Sequence, residues 1–164
     1  MKILVEKIEI KLESQEAISL ETAKNNILPN VSGFYWIYTK LPMDKFAKAA
    51  SPSNSAHIDF SRLAKIHIGV KSIITQTDTE YWCIYNGKAK QLRNRIAAQF
   101  TNTKGKTGKL ALLRCFQKAD FRIKYIACDT DSIQRGIPEK YDDIKRDLER
   151  VWRLSYGWPF LCRT

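Results

Sequence analysis

Histidine is scarce and cysteine is dispersed: the chain has 2 histidines and 4 cysteines, Cys83, Cys115, Cys128 and Cys162, with no CxxC pair. Such spacing signals neither a zinc site nor a disulfide framework. Apolar or aromatic neighbours beside each cysteine point instead to reduced core thiols. The two histidines, His57 and His67, are isolated and are assigned neither a metal nor a catalytic role. No apolar run approaches membrane-spanning length, and the opening MKILVEKIEIK is interrupted by charge too often for a signal peptide. A soluble, cytoplasmic protein is therefore expected. Acidic residues are also short: 17 Asp and Glu face 28 Lys and Arg, a formal charge of +11 spread along 164 residues. That excess implies a polyanionic partner. Nucleic acid suits it because each neutralised phosphate releases counterions, whereas a membrane surface would need one long basic amphipathic segment that the chain does not contain. On charge alone, an ordinary basic protein is the alternative.

No internal repeat or low-complexity linker divides the chain, whose length suits one domain with a core. Over residues 3–12, Ile8, Ile10 and Leu12 alternate with Glu9 and Lys11, which predicts a strand. Ser19 suits the N-cap of a short helix that ends at Pro29. GFYWIYT, Gly33 to Thr39, is aromatic and β-branched and reads as a buried strand. MDKFAKAA and DFSRLAKI read as short helices around the loop SPSNS, and a β-rich region is expected from Ile66 to Tyr85. Leu92, Ile96 and Phe100 mark the core face of a helix from Lys88 to Phe100. A helix around Leu110 to Gln117 and a strand over FRIKYIAC follow. A closing helix runs from about Pro138 to about Leu154, with Tyr141, Ile144, Leu148, Val151 and Trp152 on its apolar face. This order predicts a single α/β domain.

The stretch YNGKAKQLRNRIAAQF, Tyr85 to Phe100, carries the strongest chemical suggestion. On a helix beginning at Lys88, that lysine and Arg95 would project from one side, away from Leu92 and Ile96, and Gln99 would extend the side by a turn. Two cations and an amide where a tyrosine-bearing strand ends could cradle a phosphodiester, with the arginine as planar fork and the lysine as point charge. The same pattern alone also describes a solvated basic face. KGKTGK lacks the first glycine of a Walker loop, since Phe100 stands there; Lys104, Lys106 and Lys109 suit backbone contacts to DNA, with a solvated loop as the alternative.

GFY at Gly33 to Tyr35 and YNG at Tyr85 to Gly87 resemble the two signatures of the GIY-YIG nuclease family. YNGKAKQLRNRI is similar nearly residue for residue to the form found in the excision-repair incision nuclease. DLERVWRLSYGWP resembles the family segment that bears a metal-binding glutamate, so the likeness runs in order from Gly33 to Trp158. It implies a small, largely antiparallel sheet flanked by helices, an α+β arrangement. It also implies a site of Tyr35, Tyr85, Lys88, Arg95 and Glu149, with Glu149 holding Mg²⁺ or Mn²⁺. Lys88, Arg93, Gln99 and the three loop lysines would touch nucleic acid. The family arginine corresponds to Arg95, ten residues after Tyr85, so Arg93 is expected to be replaceable. Without the family order, Tyr35 reads as core, and Glu149 between Lys145 and Arg153 as a helical ion-pair ladder.

Each residue has a chemical reason to be there. Magnesium dehydrates reluctantly and often takes only one or two protein ligands, so a lone carboxylate can hold it. An arginine can neutralise charge building on the phosphoryl oxygens. Tyrosines can orient water or deprotonate it, but a phenol with a pKa of about 10 is a poor base at neutral pH unless a cation such as Lys88 assists. The chain departs from the family in several places. Its signature tyrosines lie fifty residues apart, which makes 40–80 an insertion, as in some restriction endonucleases of the family, and leaves 1–32 as an N-terminal extension. Asn86 stands where an aliphatic residue is usual, Gln99 where many members carry histidine, and WPFLCRT offers no match for a late asparagine. The expectation is a metal-dependent endonuclease of double-stranded DNA, restriction-type or associated with phage or mobile elements. Cutting a palindrome would make it a homodimer. The alternatives are a structure-directed repair nuclease and a non-catalytic nucleic-acid binder that retains the fold.

Overall fold

GFYWIYT becomes β1 (Gly33–Thr39), the middle strand of a three-stranded sheet. Its neighbours, β2 (Trp82–Ala89) and β3 (Phe121–Ala127), both run antiparallel to it. A central strand covered on both faces must be apolar throughout, which is why its composition is so marked. The computed structural model describes residues 1–77, 81–101, 109–128 and 141–163, and of 141–143 the backbone alone. Among these residues no helix is long and apolar enough to cross a membrane.

The side-chain alternation of β1 divides the interior in two. Tyr35 and Ile37 join a core with Leu20 and Ala23 of α2 (Leu20–Asn26) and with Leu92, Ile96 and Phe100 of α5 (Leu92–Thr101). Phe34 and Trp36 face the other way, toward Val5, Ile8 and Leu12 of α1 (Lys2–Glu13) and Leu148 and Trp152 of α6 (Tyr141–Tyr156). The fold is thus α+β, a small antiparallel sheet flanked by helices. Ser19 caps α2 by accepting the Thr22 amide at 3.1 Å. Between β1 and β2 lie α3 (Met43–Ala47) and α4 (Phe60–His67). Phe46 and Phe60, fully buried in these short helices, mesh with Phe116 and the C-terminal Phe160. The intervening segment therefore shares the main core.

Four local expectations are corrected. Residues 3–12 form α1, not a strand: Val5, Ile8 and Leu12 make a helical stripe that buries against Phe34 and Trp36, and Ile10, which the strand pattern needs inside, stays 67% exposed. Between Ile66 and Trp82 the described residues are not β-rich. Gly69 turns the chain at φ 79°, and 66–77 makes only one isolated bridge, Ile73 to Trp158. Around 110–117 the chain forms one 3₁₀ turn, Leu112–Arg114, because Ala111 in the left-handed region prevents a continuous α-helix. Finally, β2 continues through Lys88 to Ala89 before α5 starts at Leu92, so Lys88 is a strand residue paired with Phe34. Completion of the ladder against Gly33 decides that boundary.

The closing helix is present over Tyr141–Tyr156 with Leu148 and Trp152 buried and Ile144 and Val151 packed beside them. Its expected start at Pro138 and the Tyr141 side chain lie outside what is described. All four cysteines are free thiols, and Cys83, Cys128 and Cys162 are buried.

Candidate active site

Both signature glycines are required by close approach. A Cβ on Gly33 would stand 2.1 Å from the Ile126 carbonyl oxygen, and one on Gly87 would stand 2.7 Å from the Tyr35 hydroxyl and 2.8 Å from its ring carbon Cζ. Gly87 lies opposite Tyr35 in the ladder, so the tyrosine ring lies over the space a side chain would fill. Tyr85 sits one ladder step away, its ring centroid 6.0 Å from that of Tyr35.

The two phenols share one amide. Gln99 Nε2 donates to the Tyr35 hydroxyl at 2.7 Å and to the Tyr85 hydroxyl at 3.3 Å, while Gln99 Oε1 accepts from the Leu110 amide at 3.3 Å. This corrects the expectation that Gln99 lies on the outer side of α5 with Lys88 and Arg95: it is 2% exposed. It falls on the helical stripe of Leu92, Ile96 and Phe100, one turn after Ile96, and so points inward. Burial and the neighbouring Tyr85 push the Tyr35 pKa well above that of a free phenol, against the pull of Gln99 and Arg95. Burial, Cys162 and Glu149 raise Tyr85 to about 12. At neutral pH both are therefore neutral hydroxyls, suited to holding a water or an oxygen in place and not to taking its proton.

On the other side of β2 lies a charged group. The strand's alternation turns Asn86 and Lys88 toward α6, opposite to Tyr85 and Gly87. Lys88 Nζ donates to Glu149 Oε2 at 3.2 Å, a contact across 61 residues of sequence. Arg153 donates to Glu149 Oε1. Arg153 is 3% exposed and is tied by Nε to Asn86 Oδ1 at 2.7 Å and by Nη2 to the Asn86 carbonyl at 3.2 Å, with its guanidinium 5.2 Å from the Trp158 ring centroid. Glu149 is thus held at i+4 by Arg153, as a helical ladder would have it, and also from across the sheet by Lys88. Asn86 and Arg153 were not read as site residues. The polar residue at an aliphatic position of the second signature was the available signal, and its partner could not be inferred locally.

Arg95 is half-buried and lines a cavity of about 480 Å³ with Ala89, Lys90, Gln91, Asn94 and Ala98, where β2 passes into α5. Its side chain makes no hydrogen bond or ion pair among the described residues, yet its charge is felt at the Tyr35 phenol. Lys88 does not share this cavity, because two turns of helix do not separate it from Arg95. Arg93 lines a different recess with Lys24 and Asn30. Lys109 is exposed, and Lys104 and Lys106 lie outside the described residues.

Among the described residues no three His, Cys, Asp or Glu side chains come together to hold a metal ion. A hydrated magnesium ion needs only one or two protein oxygens, and Glu149 offers Oε2, whose partner Lys88 is a flexible chain 27% exposed. The fit therefore requires Lys88 to yield, while Arg153 stays fixed by Asn86. No family model, curated protein or solved structure matches the chain.

Proposed function

We propose that the protein is a metal-dependent endonuclease of double-stranded DNA, of the GIY-YIG kind that its two signatures resemble. The observation that carries this reading is the ion pair joining Glu149 to Lys88 beside the tyrosine pair: residues far apart in sequence meet on the two sides of one edge strand. Arg95 receives two oxygens of the scissile phosphate in its planar fork. Tyr35 and Tyr85, their hydroxyls fixed by Gln99, position the attacking water. Lys88 would leave Glu149 for a phosphate oxygen, and Glu149 would hold Mg²⁺ or Mn²⁺, which would supply neutralisation of the phosphoryl charge and a hydration shell from which water is easily deprotonated. The segment between the signatures favours a restriction-type enzyme, or one associated with phage or mobile elements, that works as a dimer on a palindrome.

A second reading has its own support. Glu149 is already neutralised by Lys88 and Arg153, and both tyrosines are held neutral, which suits a protein that binds DNA without cutting it. Incubation of supercoiled plasmid with Mg²⁺ or with EDTA decides between them. Metal-dependent product that disappears in Glu149→Ala supports the nuclease, with discrete bands indicating sequence specificity and a smear a non-specific or structure-directed enzyme. Retention of the plasmid on the protein with no product in either condition selects the binder.

A further inference from the structure

Beside Lys88 and Glu149 opens a cavity of about 350 Å³ lined by four charged side chains, Lys88, Arg146, Glu149 and Arg150. We infer that this cavity binds a backbone phosphate of DNA, with Arg146 and Arg150 as its principal ligands; the proposal rests on the DNA-binding part of the reading above. Arg146 and Arg150 are four residues apart on α6, so they project one above the other from the same side. Like charges at this spacing repel; both are exposed, and neither side chain makes a hydrogen bond or ion pair among the described residues. Glu149, the one carboxylate among the described residues that line the cavity, is bound by Lys88 and Arg153. Counting Arg153 behind it, the group holds, among the described residues, four cations and one anion, a surplus of three positive charges in a small space. A phosphodiester supplies what is missing: one negative charge and oxygens that two guanidinium forks and an ammonium can bind together.

The position says which phosphate. Arg95 lines a separate cavity at the start of α5, so the phosphate held by Arg146 and Arg150 is a second one, neighbouring the scissile phosphate on the side of Glu149. Lys88 lines this second cavity while bonded to Glu149. Phosphate binding here would draw Lys88 toward the ligand and away from the carboxylate.

The test is fluorescence anisotropy of a labelled duplex in EDTA, which prevents cleavage, over a range of KCl concentrations. The double variant Arg146→Ala/Arg150→Ala, both exposed, is compared with Lys2→Ala/Lys7→Ala on α1, which removes the same charge elsewhere. Loss of one phosphate contact should lower the slope of log K against log[salt] by about 0.9 and weaken binding about tenfold for the α6 variant, with the α1 variant near wild type. Equal effects in the two variants, or no change in the α6 variant, would overturn the assignment. Binding that depends on Arg146 and Arg150 without any cleavage in Mg²⁺ would remove the nuclease reading and leave this site standing. Cleavage with an unchanged salt slope would do the reverse, and a wild-type chain that does not bind the duplex would remove both.

Discussion

Gly87→Ala is the smallest change that should disturb the tyrosine pair. The added methyl would lie 2.7, 2.8 and 2.9 Å from the hydroxyl, Cζ and Cε1 of Tyr35, all well inside contact distance. The ring has little room to withdraw, because Tyr35 is 1% exposed and its hydroxyl is bonded to Gln99 at 2.7 Å. Overpacking of this kind costs about 1–3 kcal/mol. Breaking the Gln99 bond adds about 1 kcal/mol. Against this, alanine restricts the unfolded chain more than glycine does and returns about 0.4–1 kcal/mol. The clash wins, with a net destabilisation of about 1–3 kcal/mol. Urea denaturation of wild type, Gly87→Ala, Tyr35→Leu and the double variant measures it as a cycle. Once the ring is gone, the alanine should be close to neutral. An equal cost with and without the Tyr35 ring, or no cost at all, would refute the steric account of the second signature's glycine.

Two further consequences concern stability. The Tyr85 pKa is raised in the folded chain to about 12, so the unfolded state loses its proton first as pH rises; stability is therefore fully present below about pH 10 and falls between about pH 10 and 12, by up to about 1.4 kcal/mol per unit. Tyr35 acts in the same direction, and urea melts of Tyr85→Phe over this window should fall less steeply than wild type; parallel curves would count against the buried phenol. Asn86→Val removes an acceptor from the buried Arg153 guanidinium, and should cost about 2 kcal/mol in a thermal or urea melt. A neutral or stabilising result would mean that Arg153 does not depend on that side chain.

The parts of the fold legible in the sequence were those where one local pattern had one physical meaning. GFYWIYT could only be a strand covered on both faces, and the stripe of Leu92, Ile96 and Phe100 could only be a buried helix face. Ile8 and Leu12 belong equally to an alternating pattern and to a helical one, and what decides for α1 is the surface of Trp36 and Trp152 that it packs against. The place of Lys88 is not local, because the end of β2 is set by its ladder with β1, which no window of sequence contains. Gln99 does not depend on that boundary: seven residues after Leu92 and three after Ile96, it falls on their buried stripe wherever the helix starts, and the amide beneath the two tyrosines follows. The Asn86–Arg153–Glu149 group spans a strand and a distant helix, and no spacing rule reaches it.

The central claim is that Arg95, and not Arg93, handles the scissile phosphate. Single-turnover cleavage of plasmid or duplex DNA in Mg²⁺ by Arg95→Ala and Arg93→Ala, each at protein concentrations that saturate binding, tests it most directly. Loss of a preorganised charge on the phosphoryl oxygens should slow Arg95→Ala by about a hundredfold to a thousandfold. Arg93, in its separate recess beside Lys24, should be replaceable with a rate within about threefold of wild type. Equal rates in the two variants, or a larger loss at Arg93, would contradict the account.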